Sequence, residues 1–154
     1  MIDVFDSAKR SQVMSRIRSK NTKPELFVRK LLYGSGLRYR LNSKELPGHP
    51  DIVLKKWRTT VFVNGCFWHV HQGCRSAATP ASNQIYWKEK LQTNRERDIR
   101  NYKLLREQGW RVLVVWECAC KAKFAEELRT RMVQFIRGIA EEFLEIGGHD
   151  LMEH

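Results

Sequence analysis

The sequence predicts an α/β fold, a mixed β-sheet flanked by helices, with a structural zinc site. Three patterns lead there. Apolar residues recur at helical spacing over residues 22–34, 84–108 and 122–143. Strand-like runs at 37–41, 51–54, 60–63 and 111–117 lie between them. Cysteine and histidine crowd into one short loop at 64–74.

The elements follow in order. Residues 1–20 are polar and basic, with Val13, Met14 and Ile17 on one helical face, and form an arm that orders on its partner. Thr22-Lys-Pro-Glu25 opens the first helix: threonine caps, proline occupies the first turn, and glutamate three residues on completes a capping box. Phe27, Val28, Leu31 and Leu32 supply its apolar face, and Gly34 or Gly36 stops it. Residues 37–41 alternate apolar and polar. The turn PGHP at 47–50 leads into 51–54, and a short polar link joins this to 60–63 as a hairpin. Residues 64–83 read as an irregular loop and 84–108 as a long charged helix. The run VLVVW at 112–116 reads as a buried central strand, and a last amphipathic helix covers 122–143. The expected organisation is an arm (1–20), a single domain (21–146) and a tail (147–154).

The chain has 154 residues, enough for one domain to bury its own core without disulfides. Twenty-eight Lys and Arg against 17 Asp and Glu give a net +11, which suits a polyanionic partner. The charge is uneven: residues 8–23 hold six bases, including Arg16 and Lys20, and no acid. The longest apolar run is five residues, far below the roughly 18 that span a bilayer, so no membrane is expected. The opening MIDVFDSAKR has no apolar stretch, so a reducing cytoplasm is expected.

In such a compartment, clustered cysteines point to metal. Cys66, His71 and Cys74 offer two thiolates and an imidazole at short-loop spacing, and zinc wants four such ligands. Cys118, at the end of the buried strand, is the natural fourth, with Cys120 its rival. A closed set of four leaves no place for a reacting water, so the zinc is structural. His69 lies between ligands and is free for proton transfer near neutral pH. Asp51 begins a hairpin strand and faces the end of the next, near Val63 and Asn64. There a carboxylate can hold magnesium, with Glu25 as a second acid. Phe67 and Trp68, on a rigid loop, and Trp87, at the head of a basic helix, are placed to stack on or wedge between bases. Tyr86 reads as a packing residue. Glu89, Glu96, Asp98 and Glu107 interleave with the bases of that helix as a solvated, salt-bridged face.

Five stretches together resemble the very short patch repair (Vsr) endonucleases. They are residues 6–25 (DSAKRSQVMSRIRSKNTKPE), 46–51 (LPGHPD), 65–69 (GCFWH), 87–98 (WKEKLQTNRERD) and 109–118 (GWRVLVVWEC). The resemblance runs in order from about residue 3 to 120. It implies a restriction-endonuclease-like fold. It also implies magnesium-dependent nicking of double-stranded DNA 5′ of the thymine in a T:G mismatch. Such mismatches arise from deaminated 5-methylcytosine, which links the activity to a DNA cytosine-5 methyltransferase and to mismatch-repair proteins. The expected enzyme is a monomer of the bacterial cytoplasm and nucleoid. On this resemblance, Asp51 and the Val63 carbonyl bind magnesium, Glu25 and His69 act around its waters and the phosphate, and zinc sits on Cys66, His71, Cys74 and Cys118. Phe67, Trp68 and Trp87 wedge into the duplex, Met14 meets the minor groove, and Lys90 and Asn94 approach the mismatched bases. One departure is Asn64, where some members carry histidine. Asparagine can hydrogen-bond a metal-bound water but cannot shuttle its proton, so Asn64 has a supporting role. The hairpin also lacks the Glu-x-Lys of ordinary nucleases of this fold. The competing expectations are a non-catalytic, zinc-stabilised DNA-binding module and a restriction-like nuclease with another substrate.

Overall fold

The computed structural model describes residues 20–78 and 81–152. The expected basic arm up to residue 19, with Met14 and Arg16, lies outside the described residues. A five-stranded sheet of order β1-β2-β3-β4-β5 organises the chain. Its strands are β1 (Arg40–Leu41), β2 (Ile52–Leu54), β3 (Thr59–Asn64), β4 (Arg111–Trp116) and β5 (Phe143–Ile146). The first three pair antiparallel; β3, β4 and β5 pair in parallel. Helix α1 (Lys23–Gly34) precedes the sheet, α2 (Gln84–Glu107) links β3 to β4, and α3 (Ala125–Arg137) links β4 to β5.

The continuous apolar run of β4 follows from its place between two strands and two layers of helix. Leu113 and Val115 face a core built with Val28 and Leu32 of α1 and Leu128, Met132 and Ile136 of α3. Val112, Val114 and Trp116 face the other way, onto Phe62 and onto Tyr102 and Leu105 of α2. Alternation along the strand is intact, but both faces are buried, so the sequence shows no alternation of polarity. The expected mixed sheet with covering helices is the observed fold.

Two expected elements differ. The strand at 37–41 shrinks to the exposed pair Arg40–Leu41, while Leu37 is buried. The last helix, expected over 122–143, stops at Arg137, and residues 143–146 form β5 instead. Ile139 and Ala140 prolonged the helical pattern, yet Ile139 is 96% exposed and belongs to no core. Gly138 takes extended backbone, and the Arg111 side chain donates to the Phe135, Ile136 and Glu141 carbonyls, closing the helix end. Four residues of Phe-Leu-Glu-Ile are too few for period alone to separate strand from helix. Beyond β5, a 3₁₀ turn at Gly148–Leu151 returns Leu151 to the first core. Among the described residues, no helix is long and apolar enough to cross a membrane.

Candidate functional site

The hairpin register sets the acidic site. Ile52 pairs with Val61, so Asp51 comes level with the end of β3, and the Val63 N–H donates to Asp51 Oδ2 at 2.7 Å. Glu25 approaches from the first turn of α1, only 1% exposed. The capping box forms as expected: Glu25 Oε2 accepts from the Thr22 N–H at 2.8 Å and its hydroxyl at 2.9 Å. The other oxygen, Oε1, is buried and has no hydrogen-bond partner among the described residues. It lies 4.0 Å from Arg29 Nη2. Burial first, and then the neighbouring Glu25 carboxyl, push Asp51 up to about 8, against the opposing pull of the Val63 N–H and Arg29. Two facing carboxyl groups share a proton or a cation; with neither, the Glu25 oxygen is orphaned at a cost. Buried, convergent carboxylate oxygens are the donor set of a hard cation such as magnesium, so these residues fit the metal expected there.

A second pair stands beside this one. His69 Nδ1 lies 2.5 Å from Asp98 Oδ2, which leaves Nε2 as the ring nitrogen not held by Asp98. Asp98 is not a member of a solvated salt-bridged face: its side chain is only 16% exposed and is committed to His69. Asn64 is buried and donates from Nδ2 to the Tyr102 hydroxyl at 2.8 Å. Burial, and then the charge of Asp98, raise the Tyr102 phenol, and Asp51 adds to the same field. The two acidic centres therefore flank one Asn–Tyr link.

The loop after β3 gathers the metal ligands. Cys66, His71, Cys74 and Cys118 place their ligand atoms within 4.8 Å of one another. The His71 N–H donates to the Cys66 carbonyl at 2.9 Å, folding the loop back on itself. Its ring stacks on Trp116 at 4.3 Å with Nδ1 toward Cys118 Sγ, 3.5 Å away. The Cys66 and Cys118 thiols are close enough to couple, which raises Cys66 and lowers Cys118. This Cys3His set can hold a metal such as zinc. Cys120 stays outside it. Its thiol, pushed up to about 12 by burial, turns to the Trp116 carbonyl at 3.7 Å. Val70 adopts φ +54°, a left-handed conformation that costs a β-branched residue roughly 1–3 kcal/mol. Arg95 Nη1 clasps its carbonyl at 3.3 Å.

The aromatics form one group. Phe67, Trp68 and Trp87 meet edge to face, with ring centroids 5.0, 5.3 and 5.9 Å apart. Trp87 is buried beneath, whereas Phe67 and Trp68 are half-exposed on top. Asn94 Nδ2 donates to the Trp68 carbonyl at 3.2 Å, tying the loop to α2, and Lys90 projects from the same helix into solvent. Lys20 is exposed at the start of the described chain. Tyr86, expected to pack, is 44% exposed against the Trp87 edge.

A mixed sheet between helices, with an acidic pair at one strand end and a thiolate–imidazole cluster at another, defines a restriction-endonuclease-like domain. The chain belongs to the Vsr family. The family described as DNA mismatch endonuclease Vsr matches residues 2–75. The chain is 49% identical over 138 residues to the type II nicking enzyme V.NmeAIP of Neisseria meningitidis serogroup A, covering 89% of this chain and 98% of that one. It is 47% identical over 133 residues to the type II nicking enzyme V.XorIIP of Xanthomonas oryzae pv. oryzae, covering 86% and 97%. It is 42% identical over 141 residues to the DNA mismatch endonuclease Vsr of Escherichia coli, covering 90% of each.

Proposed function

We propose that this protein is a magnesium-dependent endonuclease that nicks one strand of double-stranded DNA, 5′ of the thymine in a T:G mismatch. The observation that carries the reading is the buried pairing of the Glu25 and Asp51 carboxyls, with Glu25 Oε1 lacking a hydrogen-bond partner among the described residues. A purely DNA-binding module has no use for that arrangement, which costs stability unless a cation or a shared proton answers it. Asp51 and Glu25, with the carbonyl of Val63, would hold magnesium. Bound there, the metal would stabilise charge on the phosphate and the leaving 3′ oxygen. His69 takes a proton from the attacking water as the water–phosphorus bond forms and the bond to the 3′ oxygen breaks. Asp98 fixes the ring for that task by holding Nδ1. Asn64, tied to Tyr102, lines the same end of β3 in a supporting role.

Phe67 and Trp68 are the wedge, and Trp87 is its footing. A mismatched step is weakly stacked, so opening it costs less, and that difference supplies part of the selectivity. Lys20 and Lys90, with Arg16 and Met14 of the arm, meet the backbone and grooves, and Asn94 holds the wedge loop. The substrate forms wherever 5-methylcytosine deaminates, so the activity accompanies a DNA cytosine-5 methyltransferase. The test is a nicking assay on T:G, matched and branched duplexes with and without magnesium. Cleavage confined to T:G duplexes with magnesium is expected, and equal cleavage of the matched duplex would remove the mismatch reading.

Two variants probe the parts. Trp68→Ala should lose stacking worth about 1–3 kcal/mol, roughly 5- to 150-fold in affinity, on the T:G duplex. On matched DNA phosphate contacts dominate and the loss should be smaller. Binding titrations on both duplexes decide this, and an equal loss on each would return Trp68 to simple packing. Asp98→Ala should lower the single-turnover rate about 10- to 100-fold, part of what a positioned base contributes. Duplex affinity measured alongside should stay unchanged; an unaltered rate would mean that Asp98 does not position His69.

A further inference from the structure

The end of the described chain lies against the thiolate–imidazole cluster. After β5, Gly147 and Gly148 turn the backbone across it, and the Gly148 N–H donates to Cys118 Sγ at 3.1 Å. A Cβ on Gly147 would stand 2.6 Å from His71 Cε1 and 2.8 Å from Nε2. A Cβ on Gly148 would stand 2.7 Å from the Cys118 carbonyl oxygen. Neither glycine has a positive φ, so the space, not the backbone conformation, demands glycine at both. The turn is itself secured: the Gly147 N–H donates to Asp150 Oδ2 at 2.7 Å, and Leu151 is buried in the core. The His71 ring is thus held between the Trp116 face and this turn, with its Nδ1 edge toward Cys118.

We propose that the Gly147–Gly148 turn is the outer wall of the zinc site, fixing the Cys118 thiolate and the His71 ring so that zinc binding and docking of residues 147–151 are one equilibrium. This rests on the cluster being a zinc site. Groups behind the ligands orient them and govern how much charge they give the metal, and losing one commonly costs about 10- to 100-fold in metal affinity. A thiolate relieved of its N–H donor also gives more charge to the metal.

The experiment compares the full-length parent with Gly147→Ala, Gly148→Ala and Gly138→Ala. The last is a control: its added Cβ would stand 2.8 Å from the Gln134 carbonyl oxygen, at the end of α3. Zinc affinity is read by competition with a colorimetric chelator, and foldedness by circular dichroism. Gly147→Ala and Gly148→Ala should bind zinc about 10- to 100-fold more weakly while remaining folded. Gly138→Ala should melt lower yet hold zinc within about two-fold of the parent. In cobalt-loaded protein, Gly148→Ala should shift the sulfur-to-cobalt charge-transfer band, and Gly138→Ala should not. Parent-like zinc affinity in both turn variants would overturn the proposal and leave the zinc site standing. A parent that binds no zinc would overturn both.

Discussion

Replacing Asp51 with asparagine is expected to abolish nicking of a T:G duplex while leaving duplex affinity within a few-fold of the parent. The side chain keeps its shape and an oxygen to accept the Val63 N–H, which lies 2.7 Å from Asp51 Oδ2. What disappears is the charge. A metal at a phosphoryl centre supplies several kcal/mol of transition-state stabilisation, so the rate should fall by at least about a thousand-fold. On the proposed reading, binding depends on the basic surface and on Phe67 and Trp68, neither of which involves Asp51. The parent crowds two buried carboxyl groups together, and asparagine relieves that crowding. The variant should therefore melt no lower than the parent in chelator. Alanine is the less clean choice, because an unanswered buried N–H costs about 1–3 kcal/mol of its own. Single-turnover nicking across a magnesium series is the measurement. An asparagine variant that nicks within ten-fold of the parent would sink the assignment of Asp51 to the metal.

How much of this site was legible in the sequence depended on how local each feature is. The capping box of α1 spans four residues, so Thr22 and Glu25 announced it. That the Glu25 carboxyl meets Asp51 could not be read, because it depends on where α1 lands against the hairpin. Asp98 was the largest omission. It sits among alternating charges on α2, where solvated acids are the common case, and its partner His69 is 29 positions away. The motif ending at residue 98 was the available signal. The strand β5 was hidden by Ile139 and Ala140, which extend the apolar pattern of α3 without entering a core. The stretch after residue 146 reads as a tail, yet its glycines abut His71 and Cys118 and Leu151 is buried in the core. Glycines used for closeness rather than for a turn leave no periodic trace.

Cys118 and Cys120, two residues apart, also could not be separated by spacing, and zinc removal decides between them. The 3₁₀ turn Glu117–Ala119 after β4 presents the Cys118 thiol to Cys66 and His71 and sends that of Cys120 to the Trp116 carbonyl. Cys66→Ser and Cys118→Ser should purify without zinc, and Cys120→Ser should keep it. A ligand held at roughly 100 to 1,000 times its dissociation constant adds about 3–4 kcal/mol to stability. At about 2–4 °C per kcal/mol for a domain this size, the two zinc-free variants should melt roughly 6–16 °C lower. The parent treated with a strong chelator should fall by a similar amount, since metal binding and folding of the loop are linked. Nicking should vanish with the zinc, because the loop from Cys66 to Cys74 carries His69, Phe67 and Trp68. Zinc analysis and thermal melts of the three variants are the test. A zinc-bearing Cys118→Ser beside a zinc-free Cys120→Ser would reverse the assignment, and a parent without zinc whose melt ignores chelator would remove the metal altogether.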